Sequence, residues 1–246
     1  MNHTTTILEV DGVGVQYGDT RALFDVSFSV QRGELIAVIG PNGAGKSTMF
    51  KAICGLVNHT GTVEVNGVHC HDRTDRMDIA YIPQRNEADL TFPISVGELV
   101  MAGRRRFRRW YSRPTADDRT VVAEAMAKVG LGHFESRSLN ELSGGQLQRA
   151  YLARALTQQA SVVLLDEALS GVDQPTTSEL FDVFASLAAE GTTILVATHD
   201  LALARRRFAR CIAVNGTVRG DGPPDEVLAA DVLDATFGTA GHALAD

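Results

Sequence analysis

The stretch GPNGAGKST at residues 40–48 directly follows the apolar run LIAVI at residues 35–39. It fits the pattern G-x-x-x-x-G-K-[ST], whose glycines let successive backbone N–H groups turn toward phosphate oxygens. The apolar run has the length and composition of a strand that is buried on both faces of a parallel sheet. A helical pattern from residue 45 to about 56 adds the positive end of a helix dipole. This order of strand, loop and helix predicts a site for nucleotide phosphates.

Two side chains of this phosphate-binding loop, the P-loop, have predicted roles. Lys46 supplies a point charge for the β- and γ-phosphates, and the Ser47 hydroxyl is a predicted ligand of Mg²⁺. A metal here also needs a carboxylate on a neighbouring strand, and the apolar run VVLL at residues 162–165 is followed by Asp166 and Glu167. Asp166 can orient Mg²⁺, often through water, and Glu167 can polarise a water for in-line attack on the γ-phosphate. Acids after an apolar strand are otherwise helix caps or surface charges, but together with a P-loop they predict ATP hydrolysis.

The composition excludes several classes of protein. Of the 246 residues, 44% are hydrophobic and 22% are charged, which is typical of a globular chain. The five residues at 35–39 are the longest apolar run, far short of the roughly 20 that a membrane helix needs, and the first six residues lack the pattern of a secretory signal. Three cysteines, an odd number, indicate a reducing compartment without a disulfide framework. The net charge of −7 argues against a general nucleic-acid binder.

The hydrophobic pattern of the remaining chain predicts an α/β fold. Alternating apolar and polar residues at 8–16 and 23–30 predict two strands in a β-rich first part. The middle is helical and charged, with helix starts at Ser95 and Thr115. The last third alternates between strand and helix patterns, as a parallel sheet requires, at residues 162–165, 176–189, 193–197 and 201–208. An Asn-Gly pair at residues 215–216 then predicts a hairpin turn.

The motif LSGGQ at residues 142–146 offers a second anion site, formed by Ser143 and glycine amides at a helix start. One chain has little use for two γ-phosphate sites, but two copies arranged head to tail can each close Ser143 on the ATP of the other. LSGGQ between a P-loop and a terminal Asp-Glu strand resembles the signature of the ATP-binding cassette (ABC) ATPases, over about residues 7–240. The resemblance implies a P-loop NTPase (RecA-like) core with an antiparallel β subdomain and a helical signature subdomain. It implies one ABC ATPase domain over residues 1–246, with the helical subdomain at about 85–158 inserted in the core.

The resemblance also implies roles for single residues. Tyr17 matches the aromatic residue that stacks on adenine, with an ordinary strand tyrosine as the alternative. Gln84 matches the glutamine that contacts Mg²⁺ or water, His199 matches the switch histidine at the γ-phosphate, and Asp173 matches the loop that crosses the dimer interface. The family usually has proline after the catalytic glutamate, where this chain has Ala168.

Apart from Asp173, the predicted site residues form four groups. The predicted catalytic residues are Glu167, His199 and Gln84, and the predicted Mg²⁺ ligands are Ser47, Gln84 and Asp166. The predicted ATP contacts are Tyr17, Gly40, Pro41, Asn42, Gly43, Ala44, Gly45, Lys46, Ser47 and Thr48. The predicted contacts to the ATP of a second copy are Leu142, Ser143, Gly144, Gly145 and Gln146.

Two further stretches indicate the kind of ABC protein. FPISV at residues 92–96 and MAGR at residues 101–104 resemble patterns in the ATPase subunits of manganese, zinc and iron importers. Siderophore and vitamin importers share parts of them, so an importer of that type is the alternative. The resemblance implies a homodimer with ATP and Mg²⁺, beneath integral membrane permease subunits and served indirectly by an extracytoplasmic substrate-binding protein. It implies peripheral attachment to the cytoplasmic face of the bacterial inner membrane.

Two other classes of ABC protein compete with a transporter subunit. Soluble ABC proteins that act on ribosomes or DNA usually carry two cassettes or a long coiled-coil insertion, and the 95 residues between Ser47 and Ser143 leave no room for one. A regulatory cassette without hydrolysis is disfavoured because Glu167 and His199 are both present. We therefore predict a transport ATPase with no nucleic-acid partner.

Two segments carry chemistry that these motifs do not use. The tract HCH at residues 69–71 could ligate a metal, but its spacing fits no zinc pattern, and its position after a predicted strand and turn favours an exposed turn. Residues 104–113, here called the basic strip, contain six arginines interleaved with aromatic residues. The basic strip is either a membrane-facing patch or a solvated helix end, and nucleic-acid binding ranks behind both.

Overall fold

The computed structural model describes residues 5–69, 78–83, 94–107, 109, 112–167 and 174–238. The ten strands in this part of the chain are β1 Thr6–Tyr17, β2 Thr20–Gln31, β3 Leu35–Ile39, β4 Thr60–Val65, β5 Val68–His69, β6 Ile79–Ile82, β7 Val162–Asp166, β8 Thr193–Thr198, β9 Arg210–Asn215 and β10 Thr217–Gly222. The eight α-helices in the same part are α1 Lys46–Ile53, α2 Val96–Ala102, α3 Ala116–Lys128, α4 Gly144–Thr157, α5 Gln174–Ala189, α6 Leu201–Arg207, α7 Pro224–Val227 and α8 Ala230–Phe237. Short 3-10 helices occur at Gly103–Phe107 and Leu139–Glu141.

Four strands from the first part of the chain form an antiparallel sheet with the order β2-β1-β4-β5. In the β1–β2 ladder Val10 lies opposite Phe28, and Tyr17 lies opposite Thr20 at the hairpin end. Apolar side chains alternate with polar ones along both strands, so one face of the sheet is buried and the other meets solvent. The two strands are each 12 residues long and extend beyond the predicted alternation because their pairing continues to the hairpin turn.

A six-stranded sheet with the order β10-β9-β3-β8-β7-β6 forms the centre of the chain. Its inner strands run parallel, and only the β9–β10 hairpin at the edge is antiparallel. In register, Ile39 lies opposite Thr198, and Asp166 lies opposite Ala197. The carboxyl ends of β3, β7 and β8 therefore meet at one edge of the sheet, and the loops that follow them are neighbours.

Hydrophobic cores cover both faces of this central sheet. Ile36 and Val38 of β3 contribute to the core shared with the antiparallel sheet and α1, whereas Ala37 and Ile39 contribute to the core under the other helices. All four side chains are fully buried, as in a strand of a parallel sheet covered on both faces. The sheet is therefore a rigid platform for the loops at its carboxyl edge.

The helices α2, α3 and α4 pack against one another as a helical layer beside β6. The Gln158 side chain, just beyond the end of α4, donates a hydrogen bond of 3.0 Å to the carbonyl oxygen of Ile79 in β6. The helix starts predicted at Ser95 and Thr115 are confirmed as the N-caps of α2 and α3, each with a capping box: Ser95 pairs with Glu98, and Thr115 pairs with Asp118. This layer carries the LSGGQ motif on α4 and is joined to the central sheet.

The predicted fold class is confirmed, since an antiparallel sheet, a parallel sheet with crossover helices and a helical layer are all present. The Asn-Gly pair at 215–216 connects β9 and β10 as a hairpin, as predicted. One helix end was predicted wrongly. The helix after the P-loop ends at Ile53 rather than near residue 56, because Gly55 adopts a left-handed conformation with φ of 61°.

The predicted helix at 176–189 begins two residues earlier, at Gln174.

Among the described helices, none combines the length and the apolar character that a membrane crossing requires.

Candidate nucleotide site

The P-loop connects β3 to α1 at the carboxyl edge of the central sheet. Gly45 is the N-cap of α1 and has a left-handed conformation with φ of 95°. A Cβ atom at Gly45 would lie 2.6 Å from Leu23 Cδ2 and 2.9 Å from the carbonyl oxygen of Ala22, so this position requires glycine. The loop thus rests directly on β2, and the N-terminus of α1 opens toward the sheet edge.

Lys46 is the first residue of α1 and is 4% exposed. Its Nζ donates hydrogen bonds to the carbonyl oxygens of Gly40 at 2.7 Å and Pro41 at 3.0 Å, and lies 3.5 Å from Glu167 Oε1. Burial lowers the pKa of Lys46, while the carboxylates of Glu167 and Asp166 raise it. The ammonium group is therefore held inside the curve of the loop, between the loop carbonyls and the acid pair.

Asp166 is the last residue of β7 and is 1% exposed. Its Oδ1 accepts a hydrogen bond from Ser47 Oγ at 3.0 Å, and its Oδ2 accepts one from Tyr81 Oη at 2.9 Å. One carboxylate and one hydroxyl thus lie together at the N-terminus of α1. Within the described residues no group of three or more His, Cys, Asp or Glu side chains could hold a metal. Mg²⁺ at this point would suit the donor set, because Mg²⁺ is commonly held by one or two carboxylates plus substrate phosphates and water.

Glu167 follows β7 directly and has a left-handed backbone with φ of 46°. Its N–H donates to the carbonyl oxygen of Ala197 in β8 at 3.2 Å, which fixes this unusual conformation. The side chain is 13% exposed, and its Oε1 lies 3.5 Å from Lys46 Nζ and 4.0 Å from His199 Nδ1. The turn therefore points the second acid of the pair toward both Lys46 and His199.

His199 lies after β8, and its side chain is 59% exposed. The next residue, Asp200, is the N-cap of α6, and its Oδ1 accepts a hydrogen bond from the N–H of Leu203 at 2.8 Å. This cap fixes the start of α6 and with it the turn that carries the histidine. The structure therefore brings five predicted residues together at one sheet edge: Lys46, Ser47, Asp166, Glu167 and His199.

The LSGGQ motif lies at the N-terminus of α4, in the helical layer. Ser143 is the N-cap: its Oγ accepts a hydrogen bond from the N–H of Gln146 at 3.3 Å, and its own N–H donates to Gln146 Oε1 at 2.9 Å. Gly144 and Gly145 form the first turn. None of the hydrogen bonds described for Ser143 reaches the P-loop of the same chain.

Tyr17 lies at the end of β1 and is 48% exposed. It belongs to the hairpin whose second strand supports the P-loop at Leu23. Gln84 and Asp173 lie outside the described residues, as does Ala168.

The HCH tract is described only at its first residue. His69 ends β5 with an exposed side chain whose Nε2 lies 3.4 Å from Glu64 Oε1. Residues 70 and 71 are outside the described part of the chain.

Two residues of the site were missed in the sequence. Tyr81 binds Asp166 from the neighbouring strand β6, and only the order of strands could have revealed it. Arg149 lies three residues after LSGGQ; its Nη2 contacts Glu179 of α5, and its Nη1 donates to the carbonyl oxygen of Val129 at 3.4 Å. Arg149 thus joins α4 to the residue after α3 and to α5. In the sequence, only its position one helical turn after Gln146 could have indicated this role.

The sequence profile described as "ABC transporter" matches residues 23–170, more than half of the chain. The chain belongs to the ABC transporter family. This ABC chain is 40% identical over 233 residues to the manganese transport system ATP-binding protein MntA of Synechocystis, covering 94% of this chain and 90% of the relative. It is 40% identical to the chelated iron transport system membrane protein YfeB of Yersinia pestis, covering 94% of this chain and 79% of the relative. It is 36% identical to the zinc transport system ATP-binding protein TroB of Treponema pallidum, covering 96% and 88%.

A solved structure supports the same assignment. The ABC chain matches cbiO1 from Clostridium perfringens, described as part of the ABC transporter complex cbiONQ, with a TM-score of 0.77 and 27% identity over 97% of this chain and 98% of that one. These relatives confirm the resemblance to the ATPase subunits of metal importers that the sequence motifs indicated. As a member of the family the chain is a transport ATPase that binds nucleotide.

Proposed function

We propose that this chain binds and hydrolyses ATP to drive the import of a divalent transition metal: manganese, zinc or iron. The observation that carries the proposal is the convergence of Lys46, Ser47, Asp166 and Glu167 at one sheet edge, with Ser47 Oγ 3.0 Å from Asp166 Oδ1 and Lys46 Nζ 3.5 Å from Glu167 Oε1. The cargo is argued from the relatives, whose names describe manganese, zinc and chelated-iron transport systems.

ATP binding is proposed for the P-loop from Gly40 to Thr48, whose backbone amides would surround the phosphates. Lys46 is suited to the β- and γ-phosphates because its ammonium already lies within the loop. Ser47 and Asp166 would hold Mg²⁺ together with phosphate oxygens, and the hydrogen bond from Tyr81 orients the carboxylate. The exposed ring of Tyr17 is proposed to stack on adenine, and Gln84 is proposed as a further Mg²⁺ or water contact.

Hydrolysis is proposed to depend on Glu167 as the general base. Its carboxylate would accept a proton from a water positioned in line with the γ-phosphate, and the products would be ADP and phosphate. The backbone bond to Ala197 holds the acid in place, so little reorganisation is needed. His199, 4.0 Å from the acid, is proposed to donate a hydrogen bond to the γ-phosphate.

The working unit is proposed to be a head-to-tail homodimer. The amides at the start of α4 would form an anion site, and Ser143 makes no described bond to its own P-loop. Residues 142–146 of one copy would therefore contact the ATP on the P-loop of the other copy, and Asp173 would lie in the interface loop. We propose that ATP-driven closure of this dimer drives the conformational change of the permease.

The proposed partners are two permease subunits in the membrane, with an extracytoplasmic substrate-binding protein acting through them. Relatives are named as ATP-binding components of transport systems, which supports a membrane partner. We place the chain peripherally on the cytoplasmic face of a bacterial inner membrane. An importer of metal chelates, siderophores or vitamins is the second candidate, favoured by the Yersinia relative that is named for chelated iron.

The test is ATPase activity of the chain purified with its permease and reconstituted in lipid. Manganese, zinc or ferrous iron, presented on the substrate-binding protein, should stimulate hydrolysis several-fold, and Glu167→Gln should abolish the stimulated rate. Glu190→Gln, an exposed acid on the loop after α5, is the matched control and should keep it. Stimulation by a siderophore or corrinoid alone would contradict metal-ion import. Hydrolysis by Glu167→Gln at the normal rate would contradict the assigned base.

A further inference from the structure

The basic strip has no role in the proposed ATPase cycle. Residues 104–113 read RRRFRRWYSR, with six arginines, three aromatic residues and no acid, in a chain whose net charge is −7. The strip follows α2 without a break, because the 3-10 helix Gly103–Phe107 continues from its last turn. The first residues of the strip therefore lie on the helical layer and outside the nucleotide site.

The first arginine of the strip points inward. Arg104 is 5% exposed; its Nε donates to Asp118 Oδ1 at 2.9 Å, and its Nη2 lies 3.5 Å from Asp117 Oδ2. Its Nη1 also donates to Gln159 Oε1 at 3.2 Å, which fastens the strip to the end of α4. The two acids closest in sequence to the strip are thus already paired with this buried arginine.

Three further arginines of this segment point outward. Arg105, Arg109 and Arg113 are exposed, and Arg119 on the next helix is exposed as well. Among the described residues, Arg105, Arg113 and Arg119 have no ion-pair partner. Phe107 is 44% exposed, and the Arg104 guanidinium lies 4.2 Å from the centre of its ring. The outer surface of the segment therefore combines uncompensated guanidinium groups with an exposed aromatic ring.

The charged groups next to this surface do not cancel its charge. A cavity of about 690 Å³ adjoins the strip and is lined by Arg105, Arg119 and His133 together with two acids, Glu98 and Glu135. The Glu98 carboxylate is already used, since its Oε2 accepts hydrogen bonds from the N–H and Oγ of Ser95 at 2.7 and 2.9 Å. Glu135 is the remaining acid at that edge, against two arginines.

We propose that the exposed arginines of the basic strip, Arg105 and Arg113, together with Arg119, bind the phosphate headgroups of anionic phospholipids at the membrane surface beside the permease. This rests on the proposed function in one respect, since a permease partner brings the chain to the membrane. Guanidinium groups match phosphate oxygens bidentately, and aromatic side chains favour the headgroup region, so the alternation of the two suits a lipid surface. A basic cluster near an anionic leaflet gains attraction that falls off within a Debye length. Nucleic acid fits less well, because a long polyanion would extend onto the acidic remainder of the chain.

The chain contains a single tryptophan, Trp110, and it belongs to the strip. Its fluorescence is therefore a direct reporter in the full-length protein. Vesicles of phosphatidylcholine mixed with phosphatidylglycerol should shift the emission to shorter wavelength and carry the protein into the pellet, whereas phosphatidylcholine alone should do neither. Raising the salt concentration should release the protein, because exposed charges are screened.

Two charge-reversal variants provide the matched comparison. Arg105→Glu with Arg113→Glu should weaken binding to the phosphatidylglycerol vesicles at least tenfold. Arg205→Glu with Arg206→Glu, at the exposed end of α6, changes the net charge equally and should bind as the unaltered protein does. Arg105→Gln with Arg113→Gln gives a milder variant in case the reversals disturb folding.

Several outcomes would overturn the proposal: equal binding to both kinds of vesicle, equal loss in both variants, or tighter binding to a DNA duplex than to the vesicles. Basal ATP hydrolysis in detergent should stay unchanged in the strip variants. If the unaltered protein hydrolyses ATP but does not bind the vesicles, this proposal alone is overturned. If the unaltered protein does not hydrolyse ATP, the proposed function is contradicted.

Discussion

Ser47 Oγ donates a hydrogen bond of 3.0 Å to Asp166 Oδ1, although the two residues are 119 positions apart in the sequence. The bond joins the first turn of α1 to the end of β7, and Tyr81 completes the arrangement by donating to the other carboxylate oxygen at 2.9 Å. A hydroxyl and a carboxylate meeting at the N-terminus of a helix form the part of the site that suits Mg²⁺.

Asp166→Asn should therefore weaken Mg²⁺ binding strongly and abolish hydrolysis at ordinary Mg²⁺ concentrations, because the amide lacks the charge that holds the metal. Tyr81→Phe removes only the hydrogen bond that orients the carboxylate. It should reduce Mg²⁺ affinity by about 10-fold, as expected for the loss of a group that hydrogen-bonds to a metal ligand. Mg²⁺ titration of the ATPase rate measures both. Equal Mg²⁺ affinity in all three proteins would exclude this carboxylate as a metal ligand.

Glu167→Gln should reduce the hydrolysis rate by about 10³-fold, since an amide cannot accept the proton of the attacking water. ATP should still bind and should now hold a stable dimer, which size-exclusion chromatography with light scattering would detect. Lys46→Ala should instead abolish the nucleotide binding itself. An unchanged affinity for ATP in Lys46→Ala would argue against the role of the P-loop lysine.

Ser143 and Ser95 each cap a helix through the same type of capping box, with Gln146 and Glu98 as the reciprocal partners. Alanine at either position should lower the free energy of unfolding by about 1 kcal/mol through the lost cap. Only Ser143→Ala should in addition reduce ATP-dependent dimerisation and hydrolysis, because only this cap is predicted to meet a second copy. Similar ATPase rates in the two variants would mean that Ser143 is a structural cap alone.

Gly45→Ala should destabilise the P-loop, because φ is 95° and the new Cβ would lie 2.6 Å from Leu23 Cδ2. Gly18 also has a positive φ, 56°, but no atom lies within 4 Å of a Cβ there. Gly18→Ala should therefore cost only the backbone strain of about 1 kcal/mol, with ATP binding retained. Thermal unfolding and ATP titration of both variants separate the steric clash from the backbone strain. Full ATP binding by Gly45→Ala would contradict the close contact.

The carboxyl of Asp118 should make the helical layer sensitive to acid. A hydrogen bond from the Thr115 backbone N–H is the main cause that lowers the pKa of Asp118 from 3.8 to about 2; burial opposes the shift, and Arg104 and the Thr115 hydroxyl assist it. Because the pKa is lower in the folded state, the stabilisation is fully present above about pH 4 and disappears as the pH falls through 2. The contribution is on the order of 1 to 2 kcal/mol.

Asp118→Asn should lower the stability at pH 7 and remove this part of its decrease between pH 4 and 2. Urea unfolding at several pH values measures the difference, and Asp231→Asn on α8 provides a control with the same change in charge. An identical pH dependence in Asp118→Asn and the unaltered protein would contradict the lowered pKa.

The sequence alone determined the local parts of the site. The P-loop follows from glycine spacing, the buried strand before it from an unbroken apolar run, and the helix starts at Ser95 and Thr115 from capping residues three positions apart. Such features depend on neighbouring residues only, so pattern and propensity are sufficient to predict them. The LSGGQ motif and the Asp-Glu pair were recognisable for the same reason.

Only the tertiary structure decided which of these parts meet. The strand order β3-β8-β7-β6 brings Asp166 to Ser47 and Tyr81, and it turns Glu167 toward both Lys46 and His199. The structure also separates Arg104, which is buried against Asp118, from arginines that look the same in the sequence but are exposed. Strand order and burial depend on contacts between residues far apart in the chain, and a local pattern contains no information about them.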